Sequence, residues 1–317
     1  MQKYIVKRLV YLVPVLFGVT FLTFALIYFS PGDPAILMLN ATGVTPSPKL
    51  VEQVREELGL NRSFLVQYFH WLLGVFKGDF GISYKYNKPV LDLIISSLPA
   101  TIKLAGLSMI MMMVIALPLG IISALNKNRI LDYAIRIISF VGISMPGFWV
   151  GLLLIYIFAL KFKILPVMGD SGWESIILPV ATLTIAMASK YIRQIRVAIL
   201  EEISQDYVIG AKARGIKGRV ILLNHVLQSS LLSIVTLLGL SLGSLLGGTA
   251  IIETIFSWPG VGKLAVEAIF DRDYPLIQGY VLWITVIYTV INILVDVSYY
   301  FLDPRIRLEK RANYERF

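Results

Sequence analysis

Six long apolar stretches run through the chain, at about residues 9–29, 98–125, 135–160, 176–197, 227–252 and 277–302. Each supplies the roughly 20 mostly apolar residues that a helix needs to cross a hydrocarbon core. The pattern therefore predicts an all-α membrane protein with six transmembrane helices. The first stretch follows Lys3, Lys7 and Arg8, as in a secretory signal, but it runs long and ends in Ser30-Pro31-Gly32-Asp33-Pro34 without a small-x-small cleavage site. It reads as an uncleaved span. The chain then divides into a first helix (1–30), an extracytoplasmic insert with short helices (31–97), a five-helix core (98–302) and a tail (303–317). The core carries a cytoplasmic loop at 201–219 and an outer loop at 253–275.

Charge sets the orientation. Segments on the side of the N-terminus hold 18 of the 29 Lys and Arg residues, and the remaining 11 fall in the other loops and in span two. An excess of this kind marks the cytoplasmic side, so both termini are expected inside. A hydrophobic content of 57% exceeds the roughly 45–50% of a soluble domain, which excludes a soluble fold. The net charge of +9 is spread among loops and forms no basic domain for nucleic acid.

Between the first two spans, Ser47-Pro48 supplies an N-cap with proline at the first helical position. Leu50, Val51, Val54 and Leu58 then recur at helical spacing, and Gly59 closes the turn. A second helix follows Ser63 and runs to about Phe76. The insert suits a lid over a pore mouth and also a docking surface for an extracytoplasmic protein. In the loop from Glu253 to Pro275, Trp258 and Tyr274 suit an interfacial belt, while Pro259, Gly260 and Gly262 force a turn back into the protein ahead of Arg272 and Asp273. Glu253 sits at the outer end of span five, within reach of water.

Within the spans, Gly239, Gly243 and Gly247 lie four apart and form a helix-packing face, which Gly147 and Gly151 repeat more briefly. Pro118, Pro146 and Pro179 are placed to kink spans or begin them. Asp296 is the acidic residue read as deep in a span, with Asn292 one turn earlier as a possible partner. Together they are a candidate intramembrane polar site.

Catalytic equipment is missing. The chain has no cysteine, two histidines (His70 and His225), no H-E-x-x-H and no G-x-S-x-G, so no metal site and no hydrolase are expected. Gly260-Val261-Gly262-Lys263 lacks the spacing of a phosphate loop. Uphill transport would then draw on an ion gradient or a partner ATPase, and a single span carboxylate suits the gradient-driven alternative poorly.

The loop at 201–219 is more informative. Asp206 can cap a helix over residues 207–214, and Gly215 can end it in the left-handed conformation. Gly210, Ala211 and Ala213 offer a small, smooth face beside Tyr207, Lys212 and Arg214. Their size argues against lipid insertion. The run Asp206-Tyr207-Val208 leading into Ala211-Lys-Ala-Arg-Gly215 resembles the coupling loop of bacterial ABC importer permeases. Pro31-Gly-Asp-Pro34, Gly78-Asp-Phe-Gly-Ile-Ser83, Leu98-Pro-Ala-Thr101, Ser144-Met-Pro-Gly147, Ser257-Trp-Pro-Gly-Val-Gly262 and Arg272-Asp-Tyr-Pro275 extend the likeness to the peptide and nickel permeases, the first of their two paired subunits. The chain departs from that pattern at Ile209-Gly210-Ala211 and at Ser233, where proline is expected.

The resemblance implies a type I importer permease in the bacterial inner membrane. Its implied partners are a second homologous permease, two cytoplasmic ATPases that hold the ATP and Mg, an extracytoplasmic substrate-binding protein and membrane lipid. This chain would bind no cofactor of its own. Val167-Met-Gly-Asp-Ser-Gly-Trp173, Gly247-Gly-Thr-Ala-Ile-Ile-Glu253 and Asp303-Pro-Arg-Ile-Arg307 lean toward nickel, as ion or chelate, over di- and oligopeptides.

Overall fold

The structure is a computed structural model that describes residues 2–167 and 172–302, apart from the side chains of 2–9, 231–233, 236–237, 240, 242–244, 246–248 and 296–302. In chain order the helices are α1 (Gln2–Tyr28), α2 (Pro34–Ala41), α3 (Pro48–Glu57), α4 (Phe64–Phe76), α5 (Val90–Leu125), α6 (Ile130–Ser144), α7 (Gly147–Leu154), α8 (Ile177–Ile203), α9 (Asp206–Ala213), α10 (Gly218–Ile221), α11 (Leu227–Ile255), α12 (Val261–Asp271) and α13 (Tyr274–Leu302). Among the described residues there is no strand, and one isolated bridge joins Ile82 to Pro89.

Among the described residues four helices are long and apolar enough to cross a membrane: Val10–Tyr28, Val90–Leu125, Trp173–Ile203 and Tyr274–Val295. A fifth crossing is reached if α6 and Gly147–Lys161 count as one. The stretch expected as span five corresponds to α11, many of whose side chains lie outside the described residues. The third stretch is not straight. It bends by 99° between Ser144 and Gly147. Met145 is extended (φ −88°, ψ 129°), as a residue before proline prefers, so Pro146 ends one helix and opens the next. Pro118 leaves α5 unbroken, and Pro179 lies in the first turn of α8, where its missing N–H costs nothing.

The chain forms two compact units. One comprises residues 1–101 and 259–290, and the other 102–258 with the C-terminal part of α13. In the first unit α4 lies on α1 through Phe24, Tyr68 and Leu72, with Phe21 and Phe64 edge-on around them. The Thr20 and Tyr68 hydroxyls are 3.0 Å apart. Both insert helices read from the sequence are present. Ser47 Oγ caps α3 by accepting the Leu50 N–H at 3.3 Å, and Gly59 takes φ +66°. An additional helix, α2, follows Asp33, which accepts the Ala35 N–H at 3.0 Å.

In the second unit α8 is central, packing against α6, α7 and α11. Close approach needs glycine opposite it: a Cβ on Gly142 would collide with Ser189, and one on Gly120 would lie 2.7 Å from Ile195. Of the expected glycine face on α11, Gly239 does sit against a neighbour, where a Cβ would collide with Val295 of α13. The surroundings of Gly243 and Gly247 lie outside the described residues. Gly151 meets Phe256 and Thr182, whereas Gly147 faces open space.

Candidate functional site

The eight-residue helix α9 is framed at both ends by local geometry. Gln205, rather than Asp206, is its N-cap, extended at φ −71°, ψ 150°. Asp206 therefore falls in the first turn, where its charge suits the positive end of the helix dipole. At the other end Gly215 takes φ +77°. Its N–H donates to the Lys212 carbonyl at 2.9 Å, and the Ile216 N–H donates to Ala211 at 3.2 Å. This is a Schellman closure, for which glycine is favoured because the left-handed region penalises a Cβ.

The helix has two distinct faces. Val208 and Ala211 are buried in the same core as Ile195 and Ile199 of α8 and Ile221 of α10. Ala211 thus belongs to the anchoring side and not to the smooth contact face expected of it. Asp206, Ile209, Gly210, Ala213 and Arg214 are exposed on the opposite side, with Ile209 59% exposed. A Cβ on Gly210 would meet nothing within 4 Å. Tyr207 donates from Oη to Glu202 Oε1 at 2.7 Å and lies edge-on to His225. Partial burial and the Glu202 carboxylate push its phenol pKa up.

A second constellation gathers residues of five of the motifs within the first unit. Asp273, buried, accepts from Ser83 Oγ at 2.5 Å, from the Lys85 N–H at 3.3 Å and from the Leu276 N–H at 3.4 Å, the last capping α13. Arg272, left-handed at φ +54°, donates to the Pro31 carbonyl at 3.2 Å. The Val261 N–H donates to Thr101 Oγ1 at 2.9 Å. Lys85 pairs with Asp271 at 2.7 Å and Tyr86 donates to Glu267 at 2.8 Å. Burial raises the pKa of the neighbouring Tyr84 phenol, and the Asp273 carboxylate raises it further, so this hydroxyl stays protonated.

Three expectations for the segment 253–275 change. Trp258 and Tyr274 are buried rather than placed at an interface, because Pro259 and the buried Gly260 turn the chain inward. Glu253 is 0% exposed, not bathed in water. The loop also contains a helix, α12, that the sequence reading did not resolve.

The described part of the span site is Asn292, half-buried on α13; the Asp296 side chain lies outside the described residues. A different buried charge stands out in the second unit. Asp132, in the first turn of α6 and 0% exposed, accepts Arg196 Nε and Nη2 at 2.8 Å each, Ser123 Oγ at 2.6 Å and the Asn128 N–H at 2.9 Å. Arg196 itself was the available signal, since a guanidinium within an apolar helix requires an anion.

Residues 116–308 match the family described as "Binding-protein-dependent transport system inner membrane component", and residues 1–105 match its N-terminal companion. The chain belongs to this family. The junction between the two matches lies on α5, close to where the compact units divide. Among its relatives, the metal-staphylopine import system permease protein CntB of Staphylococcus aureus is 38% identical over 309 residues, covering 97% of this chain and 99% of CntB. The glutathione transport system permease protein GsiC of Escherichia coli K12 is 37% identical over 307 residues, again covering 97% and 99%. An inward-facing structure of the MetNI methionine ABC transporter matches 67% of this chain and 96% of its own, with TM-score 0.58 at 17% identity, a likeness of fold. The protein is accordingly an ABC importer permease of the peptide and nickel type, a multi-pass membrane transport subunit and not an enzyme.

Proposed function

We propose that this permease crosses the membrane six times with both termini in the cytoplasm. In this reading it forms a translocation path with a second homologous permease, driven by two ATPases that engage α9 and supplied by an extracytoplasmic binding protein. The observation that carries it is the division of α9 into an anchored side, Val208 and Ala211, and a bare side of Ile209, Gly210 and Ala213 that this chain leaves uncovered. An exposed isoleucine beside a glycine with open space above it suits insertion into a groove on a partner.

For the solute, the reading is a short peptide or a metal chelate, with nickel the favoured metal. The names of CntB and GsiC support both classes.

Replacing Gly210 with Trp in the assembled transporter tests the coupling role. A Cβ at Gly210 has no atom of this chain within 4 Å and the position is exposed, so assembly of the permease pair should persist while solute-stimulated ATP hydrolysis falls at least tenfold. Unchanged stimulation would refute docking through α9. Calorimetry of the cognate binding protein with nickel, nickel plus histidine, dipeptides and glutathione separates the solutes, and tight binding of peptides alone would remove nickel.

A further inference from the structure

Between α6 and α8 lies a pocket of about 490 Å³ whose polar lining includes Tyr133, Arg136, Ser139, Arg193 and Arg196. Arg196 is neutralised by Asp132, as described above. Arg136 and Arg193 have no carboxylate within ion-pair distance among the described residues; Arg136 lies 5.5 Å from the centre of the Tyr133 ring. The pocket therefore carries two uncompensated positive charges. Ser139 adds an independent sign: its hydroxyl is buried against the pocket, on a residue 3% exposed, and has no hydrogen-bond partner. An orphaned buried hydroxyl is costly, and here it sits among groups that can donate.

Depth decides what kind of anion fits. Arg136 and Arg193 both lie in segments apolar enough to cross a membrane. Arg136 is one residue inside the apolar stretch 135–160 and Arg193 is four residues before the end of 176–197, about 6 Å along the helix, near the level of lipid phosphates. An unpaired guanidinium at the edge of the hydrocarbon is unfavourable, whereas a phosphodiester oxygen pair matches its planar fork. Around the pocket mouth Ile137 and Phe140 are 63% and 70% exposed, which supplies apolar surface beside the charge. A molecule with a phosphate and acyl chains satisfies both halves at once.

We propose that the α6–α8 pocket binds the phosphate of an anionic phospholipid, with Arg136 and Arg193 as its cationic ligands and Ser139 as a further donor. The assignment of this lipid to the cytoplasmic leaflet rests on the orientation proposed above, and that leaflet is the anionic one. Arg196 is held by Asp132 and supports the site without carrying it.

The test uses the assembled transporter, wild type and Arg136→Gln/Arg193→Gln, exchanged into delipidating detergent and titrated with phosphatidylglycerol, phosphatidylcholine or inorganic phosphate. Native mass spectrometry should find phosphatidylglycerol retained on the wild type and depleted at least tenfold on the variant, with saturable thermal protection by phosphatidylglycerol only for the wild type. Should the variant fail to assemble, a photoreactive phosphatidylglycerol on the wild type should label peptides spanning 133–143 or 193–197. Equal retention by both proteins, labelling elsewhere, or full protection by inorganic phosphate would overturn the lipid site. Rescue of an Arg136→Glu/Arg193→Glu variant by a charge reversal in the second permease would overturn it too, by making the pocket a protein interface. Failure of the transport reading shows separately, as absence of solute-stimulated hydrolysis by the wild type in any lipid.

Discussion

Removing Asp132 should be among the most destabilising single changes in the second unit. Its carboxylate accepts four hydrogen bonds, two of them from Arg196, and the pair is almost sealed, Asp132 at 0% and Arg196 at 14% side-chain exposure. Asp132→Ala leaves the guanidinium without its anion, together with an unaccepted Ser123 hydroxyl and Asn128 N–H. Breaking a buried pair from one side costs about 3–5 kcal/mol. At roughly 1.4 kcal/mol per decade, that shifts the folding equilibrium by about two to three and a half orders of magnitude. Asp132→Asn keeps the shape and some acceptor capacity and should fall between. Asp132→Leu combined with Arg196→Met removes both charges and should recover most of the loss, since an apolar replacement of a buried pair is often neutral. Unfolding of the purified permease in mixed micelles by SDS titration, followed by tryptophan fluorescence, measures all four proteins. If Asp132→Ala lies within about 1 kcal/mol of wild type, or the double variant is no better than the single, the clamp is not held by desolvated charge.

Two further outcomes are expected. Gly239→Leu must displace Val295 and should cost about 1–3 kcal/mol as an overpacked helix contact, whereas Gly147→Ala, which faces open space, should be silent; the same SDS titration reads both. Asp273→Ala removes the cap of α13 and the acceptor of Ser83, so a loss of about 0.5–2 kcal/mol is expected, with faster amide exchange confined to residues 81–86 and 274–277 by hydrogen-exchange mass spectrometry.

Four of the six expected spans, or five if α6 and Gly147–Lys161 count as one, were legible because length and apolarity alone define them, and the starts of α3 and α9 were read to within a residue because capping is a local property. Other features turned on distance or direction. Asp33-Pro34 carries the same cap-then-proline signal as Ser47-Pro48, yet it reads as a turn beside Pro31-Gly32, so α2 went unseen. Prolines at 118 and 146 look alike in sequence. One lies inside a long continuous helix and the other sits at a 99° bend. Ala211 and Gly210 are adjacent small residues, and only the packing of α8 decides that the first faces inward. The partnership of Asp132 with Arg196 spans 64 residues and leaves no periodic trace. Motifs such as Gly78–Ser83 and Arg272–Pro275 appeared as separate labels, while in the folded chain they meet at the Asp273 carboxylate.

If ATPases engage α9 as proposed above, the position of the ion pair bears on how motion there would reach the membrane helices. Val208 and Ala211 share a close-packed core with Ile195 and Ile199, and Tyr207 is tied to Glu202 on the last turn of α8. Interiors packed to this density shift as bodies rather than deform continuously, so a displacement of α9 must carry the end of α8 with it. Asp132 then fixes α8 to α6 at Arg196, two helical turns before the end of α8. On this account the clamp is retained for register, a role that stability alone does not measure. The Asp132→Leu/Arg196→Met variant separates the two. It should unfold at nearly the wild-type SDS concentration and still show solute-stimulated ATP hydrolysis reduced several-fold, because apolar side chains let α6 slide along α8 where a bidentate pair does not. Wild-type stimulation in a variant of restored stability would show that the relay from α9 does not depend on the charges joining α8 to α6.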